Sequence, residues 1–447
     1  MRTAAEFQLA ERAGSTGGGA GFNWWPPLLG AALLGVAIWA EQTHQTQYLT
    51  ALAALMNRPR LPPFVDLHGV LESVQCWRQG VDVYVSSPCD VLHRRFNYSP
   101  MLLRMSFLPS DGASITAIGL GFAGAFFVSL GFLPRPSTVA GRVAATLGAF
   151  SSLTIFALER GNIDLLMFAL LMVAAALLAG GGRRRAMGYA LVLAAAAMKF
   201  YPLAALALAL RERMRVTSVV FLFAAGISVW FALTFRSELA EILPPRPNTL
   251  GDTFGVNHLL RAFQDWASPL GGLAVLGTQL ALVFLAVRAF ARRPEIGEAF
   301  DSLPTLAQIQ LLANAAIVVG CYFLLENIGY RAVFLLPPLF CFVRLAESAA
   351  TVGARRAFGA VSAAMLVCLW MLSLQQIVAL LFGGEYDPVS GSVAGYSFWT
   401  IRELLWSFAA GALGGLLVRF AARSQTAKDL EAWLCPFAGR LVASNRP

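Results

Sequence analysis

The chain has 447 residues, 57% of them apolar and 13% charged, with a mean hydropathy of +0.63. So little polar surface cannot cover a water-soluble globule of this size, which excludes a soluble multidomain enzyme and predicts a polytopic membrane protein. The net charge of +9 falls in short clusters at the ends of apolar runs, so membrane orientation accounts for it and no nucleic-acid partner is expected.

Residues 1–23 carry Arg2, Glu6, Glu11 and Arg12 without the layout of a cleavable signal and read as a short cytosolic tail. Trp24–Ala40 is the first expected span, with Trp24, Trp25 and Trp39 at headgroup depth. A long outer loop follows over residues 41–112, with the polar stretch Asn57–Pro100 at its centre. Further spans are expected at Ala113–Leu133, Val143–Leu158 and Leu165–Gly182, the last two joined by a turn at Glu159–Asn162.

Ala186–Leu210 lies between Arg183–Arg185 and the basic residues Arg211, Arg213 and Arg215, and Lys199-Phe-Tyr-Pro202 interrupts it. One crossing would leave one basic cluster outside, so two half-helices meeting at Lys199–Pro202 are predicted. Val216–Phe235, Leu270–Val287, Leu303–Leu325, Ala332–Val343, Ala357–Phe382 and Leu404–Val418 complete the expected bundle. The fold class is therefore an all-α polytopic membrane bundle of about 12 membrane segments over residues 24–418. Amphipathic helices are expected in the first outer loop, and residues 419–447 form a cytosolic tail.

The loops hold no HExxH, CxxC pair or Asp-x-Asp, so no metal is expected. No GxGxxG or Walker A loop follows a strand, since no strands are expected, and a GxSxG elbow is missing as well. All four histidines, His44, His68, His93 and His258, fall on the outer side of this layout, which suggests that the polar chemistry faces outward, although each is also consistent with an ordinary surface role. Asp66 has two readings: a turn or helix-capping carboxylate after Pro62-Pro63, or a juxtamembrane general base that takes a proton from an acceptor hydroxyl. Asp82 and Asp90 sit in turn-like surroundings and read as structural.

The outer-loop arginines Arg60, Arg78, Arg94 and Arg95 run against the positive-inside pattern, and an anionic ligand would explain them. Arg94, Arg95, Lys199, Arg261 and Arg331 are the candidate cations for a phosphate. Lys199 is one of only two lysines and lies in an apolar run, where an ionisable group is costly and usually functional, unless it snorkels to the interface. Cys76 and Cys89 lie in the same outer loop, where a disulfide is possible in an oxidising compartment. Cys321, Cys341 and Cys368 read as small core residues.

At these residues the chain resembles the polytopic GT-C glycosyltransferases, and among them the polyprenol-phosphate-mannose-dependent family 87. The pieces that carry the likeness are Asp66, Gly80-Val-Asp-Val-Tyr84, Phe96-Asn-Tyr-Ser-Pro100, Gly161-Asn-Ile-Asp164, Lys199-Phe-Tyr-Pro202, Asn257–Arg261 and Tyr330–Pro338. The resemblance implies inverting transfer of mannose or a related sugar from a polyprenyl-phosphate donor to a lipid or glycan acceptor, at the outer face of a bacterial inner membrane. It implies Asp66 as the base, and Lys199, Arg94, Arg95, His258, Arg261, Tyr330 and Arg331 as substrate-binding residues. No cofactor is expected beyond the lipid-linked donor itself. Two departures stand out: Tyr330-Arg331 where relatives often carry histidine, and Asn257-His258-Leu-Leu in place of Asn-Gln-Ser-Leu. A secondary transporter or lipid-linked-sugar flippase is the competing reading, because a helical bundle with a broken helix suits transport too. A catalytically inactive scaffold of the same fold is a third.

Overall fold

A computed structural model of the chain describes residues 22–56, 59–105, 107–242, 253–257, 269–324, 327–382 and 393–444. His258 and Arg261 lie outside the described residues. The described chain is helical except for loops and one two-residue antiparallel pairing, Thr253–Phe254 (β1) with Asn327–Ile328 (β2). Eight helical stretches among these residues are long and apolar enough to cross a membrane, from Gly112–Leu130 to Ser397–Arg423. In a bilayer every backbone polar group needs an internal partner, which an uninterrupted helix supplies along its length. The protein is thus an all-α, multi-pass membrane bundle.

Several helix boundaries depart from the sequence reading, each with a visible cause. The stretch expected as one span at Val143–Leu158 is two helices, Val139–Ala149 and Ser152–Glu159. Ser151 starts the second by accepting a bond from the Thr154 amide at 3.4 Å, as N-cap serines do. Ala357–Phe382 likewise divides at Trp370 into Val352–Leu369 and Met371–Leu381. There the Trp370 indole nitrogen donates to the Leu147 carbonyl across the bundle (2.9 Å).

The two predicted half-helices are present as an α-helix, Arg183–Met198, and a 3-10 helix, Tyr201–Arg211, packed side by side. Side chains three apart eclipse in a 3-10 helix, and the buried positions Pro202, Ala205 and Leu208 follow that spacing. The far ends of the pair meet again: Arg185 reaches the Glu212 carboxylate at 3.1 Å, and the Tyr189 hydroxyl donates to the same carboxylate at 3.2 Å. Lys199 stands at the tip of this helical hairpin, between its two arms.

Candidate active site

Helix ends converge around that tip. The helix Val65–Arg78 begins against the end of Ser152–Glu159: the Phe64 amide donates to the Glu159 carbonyl (2.9 Å) and the Asp66 amide to the Arg160 carbonyl (3.0 Å). Close approach here depends on Gly161, whose φ of +56° suits glycine and where a Cβ would lie 2.7 Å from the Phe64 Cβ. The turn delivers Asn162 and then Asp164, the first residue of the helix Asp164–Ala179. Ser99, in the loop that follows Val65–Arg78, donates to the Ala197 carbonyl at 2.5 Å, fastening that loop beside Lys199.

Asp66 is not a helix cap. It stands in the first turn of its helix, after Phe64 at the cap position, where the helix dipole favours a carboxylate. It is 7% exposed. Its Oδ1 accepts from Arg94 Nη1 at 2.7 Å and its Oδ2 from Asn162 Nδ2 at 2.9 Å. Asn162 in turn accepts from Lys199 Nζ through Oδ1 at 3.3 Å. One amide thus connects the candidate base to the candidate phosphate-binding lysine.

Lys199 is paired, however. Its ammonium bonds to Asp164, as does the Tyr201 hydroxyl (2.6 Å), and Arg331 Nε lies 3.7 Å from the other Asp164 oxygen. The rings of Tyr98, Tyr330 and Tyr201 surround the ammonium at 5.3, 5.6 and 5.8 Å, a cation–π cage that stabilises a desolvated charge. Two cations and one carboxylate leave this cluster with one net positive charge.

Arg94 is likewise not a free cation. Besides Asp66 it bonds to Asp90 through Nε (2.8 Å) and Nη2 (3.1 Å), and to the Val65 carbonyl (2.9 Å). Burial works to lower the Arg94 guanidinium, but bonds to Asp90 and Asp66 overcome it and raise its pKa further. For Asp90, burial pushes up while the Arg94 bonds and charge push down more strongly, leaving the carboxyl below its ordinary range. Gly69 makes room for this clamp: a Cβ there would lie 2.6 Å from Arg94 Nη2. The disulfide Cys76–Cys89 ties the same helix to the residue before Asp90.

Two adjoining cavities open on these groups. The larger, about 350 Å³, is lined by Asp66, Arg60, Arg94, Arg95 and Arg160 among others. The smaller, about 120 Å³, is lined by Lys199, Tyr201 and Arg331, and both share Asn97, Tyr98, Ile328 and Tyr330. The structure therefore gathers Asp66, Lys199, Arg94, Arg95, Tyr330 and Arg331 into one region. Asn162, Asp164, Tyr98 and Tyr201 lie in the motifs quoted from the sequence but were assigned no role there. Asp164 carried a usable signal, since it is an acid at the start of a long apolar run.

Among the described residues no group of histidine, cysteine or acidic side chains could hold a metal ion. The histidine–acid contact from His68 Nδ1 to Glu72 Oε1 at 2.8 Å lies along one helix face and is an i,i+4 pair. Comparison with protein-family models, with curated proteins and with solved structures returns no match to the chain.

Proposed function

We propose that the protein is a glycosyltransferase of the GT-C type that moves a sugar from a polyprenyl-phosphate donor to a lipid or glycan acceptor. One observation carries this reading: a carboxylate and a net-positive lysine–arginine cluster line adjoining cavities and are joined through a single amide, Asn162. Transfer with inversion needs that pairing of charges. Asp66 takes the proton of an acceptor hydroxyl as its oxygen forms a bond to the anomeric carbon. The bond from that carbon to the phosphate oxygen breaks, and the electron pair leaves with the lipid phosphate. Lys199 and Arg331 stabilise the phosphate charge from a fixed site of low dielectric. Asp164 and the tyrosine cage hold those cations in place before substrate arrives. Asp66 remains usable as a base, since each carboxylate oxygen holds one donor and keeps a second lone pair.

In this reading the chain has twelve membrane segments, adding four shorter or more polar helical segments, Trp25–Thr43, Asp164–Ala179, Arg183–Met198 and Tyr201–Arg211, to the eight long ones. Both termini lie in the cytosol of a bacterial inner membrane, and the cavities face the exterior. The test is reconstituted full-length protein supplied with radiolabelled polyprenyl-phosphate sugars and membrane-derived acceptors. A new covalent glycan product is expected. Uptake of a labelled lipid-linked sugar into vesicles with no covalent product would instead establish the transporter reading.

A further inference from the structure

The larger cavity holds more positive charge than the proposed reaction uses. Arg94 is occupied by Asp66 and Asp90, and Arg160 lies 3.0 Å from Glu159. Arg60 and Arg95 remain: both are exposed, both line this cavity, and neither makes a side-chain ion pair or hydrogen bond among the described residues. The lipid phosphate has its own cations in the smaller cavity, where neither arginine lies. The cavity's acids, Asp66 and Asp90, are both held by Arg94, and the neighbouring Glu159 carboxylate pairs with Arg160 and accepts from the Arg60 backbone amide, so none of the three bonds to the Arg60 or Arg95 side chain. Two uncommitted guanidinium groups at the mouth of a 350 Å³ chamber match a planar oxyanion, which each fork can grip with two parallel bonds.

We infer that the larger cavity takes an acceptor bearing an oxyanion, a carboxylate or phosphate, held by Arg60 and Arg95 while its hydroxyl faces Asp66. The acceptor role rests on the transferase reading above, and the oxyanion site rests on the cavity alone. The oxyanion belongs either to the acceptor saccharide or to a phospholipid headgroup that carries it. Both present the same chemistry to the arginines, and the two sources separate experimentally.

The experiment is equilibrium binding to the full-length protein in nanodiscs, with two pairs of soluble probes: methyl glucuronide against methyl glucoside, and glucose 6-phosphate against glucose. In neutral-lipid nanodiscs the acidic member of each pair binds at least about tenfold tighter, the effect of one charge-assisted contact. Arg60→Gln and Arg95→Gln each weaken acid binding by about tenfold, and the double substitution abolishes the preference. Arg78→Gln leaves it unchanged, since Arg78 is exposed on the same loop but does not line the cavity. Repeating the titration in anionic-lipid nanodiscs distinguishes the sources: competition there by the bilayer assigns the site to a phospholipid headgroup, and its absence assigns it to the saccharide. Equal affinity for acidic and neutral probes, or an acid preference that survives the double substitution, overturns the inference. Neither result touches the transferase reading, which product formation decides separately.

Discussion

Lys199 and Asp164 show what a buried charge demands of its neighbours. Lys199 is 8% exposed and Asp164 is fully buried, so removing either partner leaves a charge in low dielectric with only part of its compensation. Lys199→Met and Asp164→Asn should each destabilise the protein by about 3 kcal/mol, on the scale of other broken buried pairs. The double variant should lose clearly less than the sum, because no orphan charge remains. Thermal unfolding in nanodiscs measures all three. Additive losses would show that the two side chains do not interact energetically. Asn162 holds a different kind of position: its amide donates to Asp66 and accepts from Lys199, so it orients both without carrying charge. Asn162→Ala should lower turnover by roughly tenfold to a hundredfold, the cost of misplacing reacting groups by a fraction of an ångström, while sugar-donor binding changes little.

At the scale of elements, the polar loop around Val65–Pro100 works as a frame that aims one helix. The disulfide, the Asp90–Arg94–Asp66 clamp and the Ser99 bond to Ala197 all act on the segment between Val65 and Pro100. Gly69→Ala tests that frame, because its new methyl group would meet the Arg94 guanidinium at 2.6 Å. The side chain would have to move, the bond to Asp66 would be lost, and turnover should fall by about tenfold with the global fold retained. Turnover equal to wild type would mean that Arg94 is dispensable for positioning Asp66. The helical hairpin is framed in a similar way at its opposite end, where Arg185, Tyr189 and Glu212 meet. Cysteines placed at positions 184 and 213 should therefore both be labelled by a membrane-impermeant reagent from the same side, and a cysteine at position 95 from the other. Labelling of 184 and 213 from opposite sides would turn the hairpin into a single crossing.

Over the whole molecule, apolar runs and basic clusters were enough to read a multi-pass helical bundle, because the bilayer imposes both signals locally. The hairpin was legible for the same reason, with matching arginine clusters on either side of one interrupted run. Asp66, Lys199 and Arg331 were legible as ionisable groups in unusual places. Their partners were less so. Asp66 pairs with Asn162 across 96 residues and Lys199 with Asp164 across 35, and no local periodicity encodes a contact made by helix ends meeting in space. The break near Trp370 was hidden likewise, since its indole nitrogen bonds to Leu147 across the bundle, whereas the capping serine at Ser151 was a local signal within an apolar run.

A single-turnover transfer rate from a polyprenyl-phosphate sugar, with donor affinity measured on the same samples, puts the greatest strain on the account. For Asp66→Asn the rate should drop by roughly a hundredfold to ten-thousandfold, the range for loss of a positioned base, and donor affinity should stay within a few-fold. Wild-type turnover from the asparagine variant would remove Asp66 from the chemistry and leave the paired cavities without their assigned purpose.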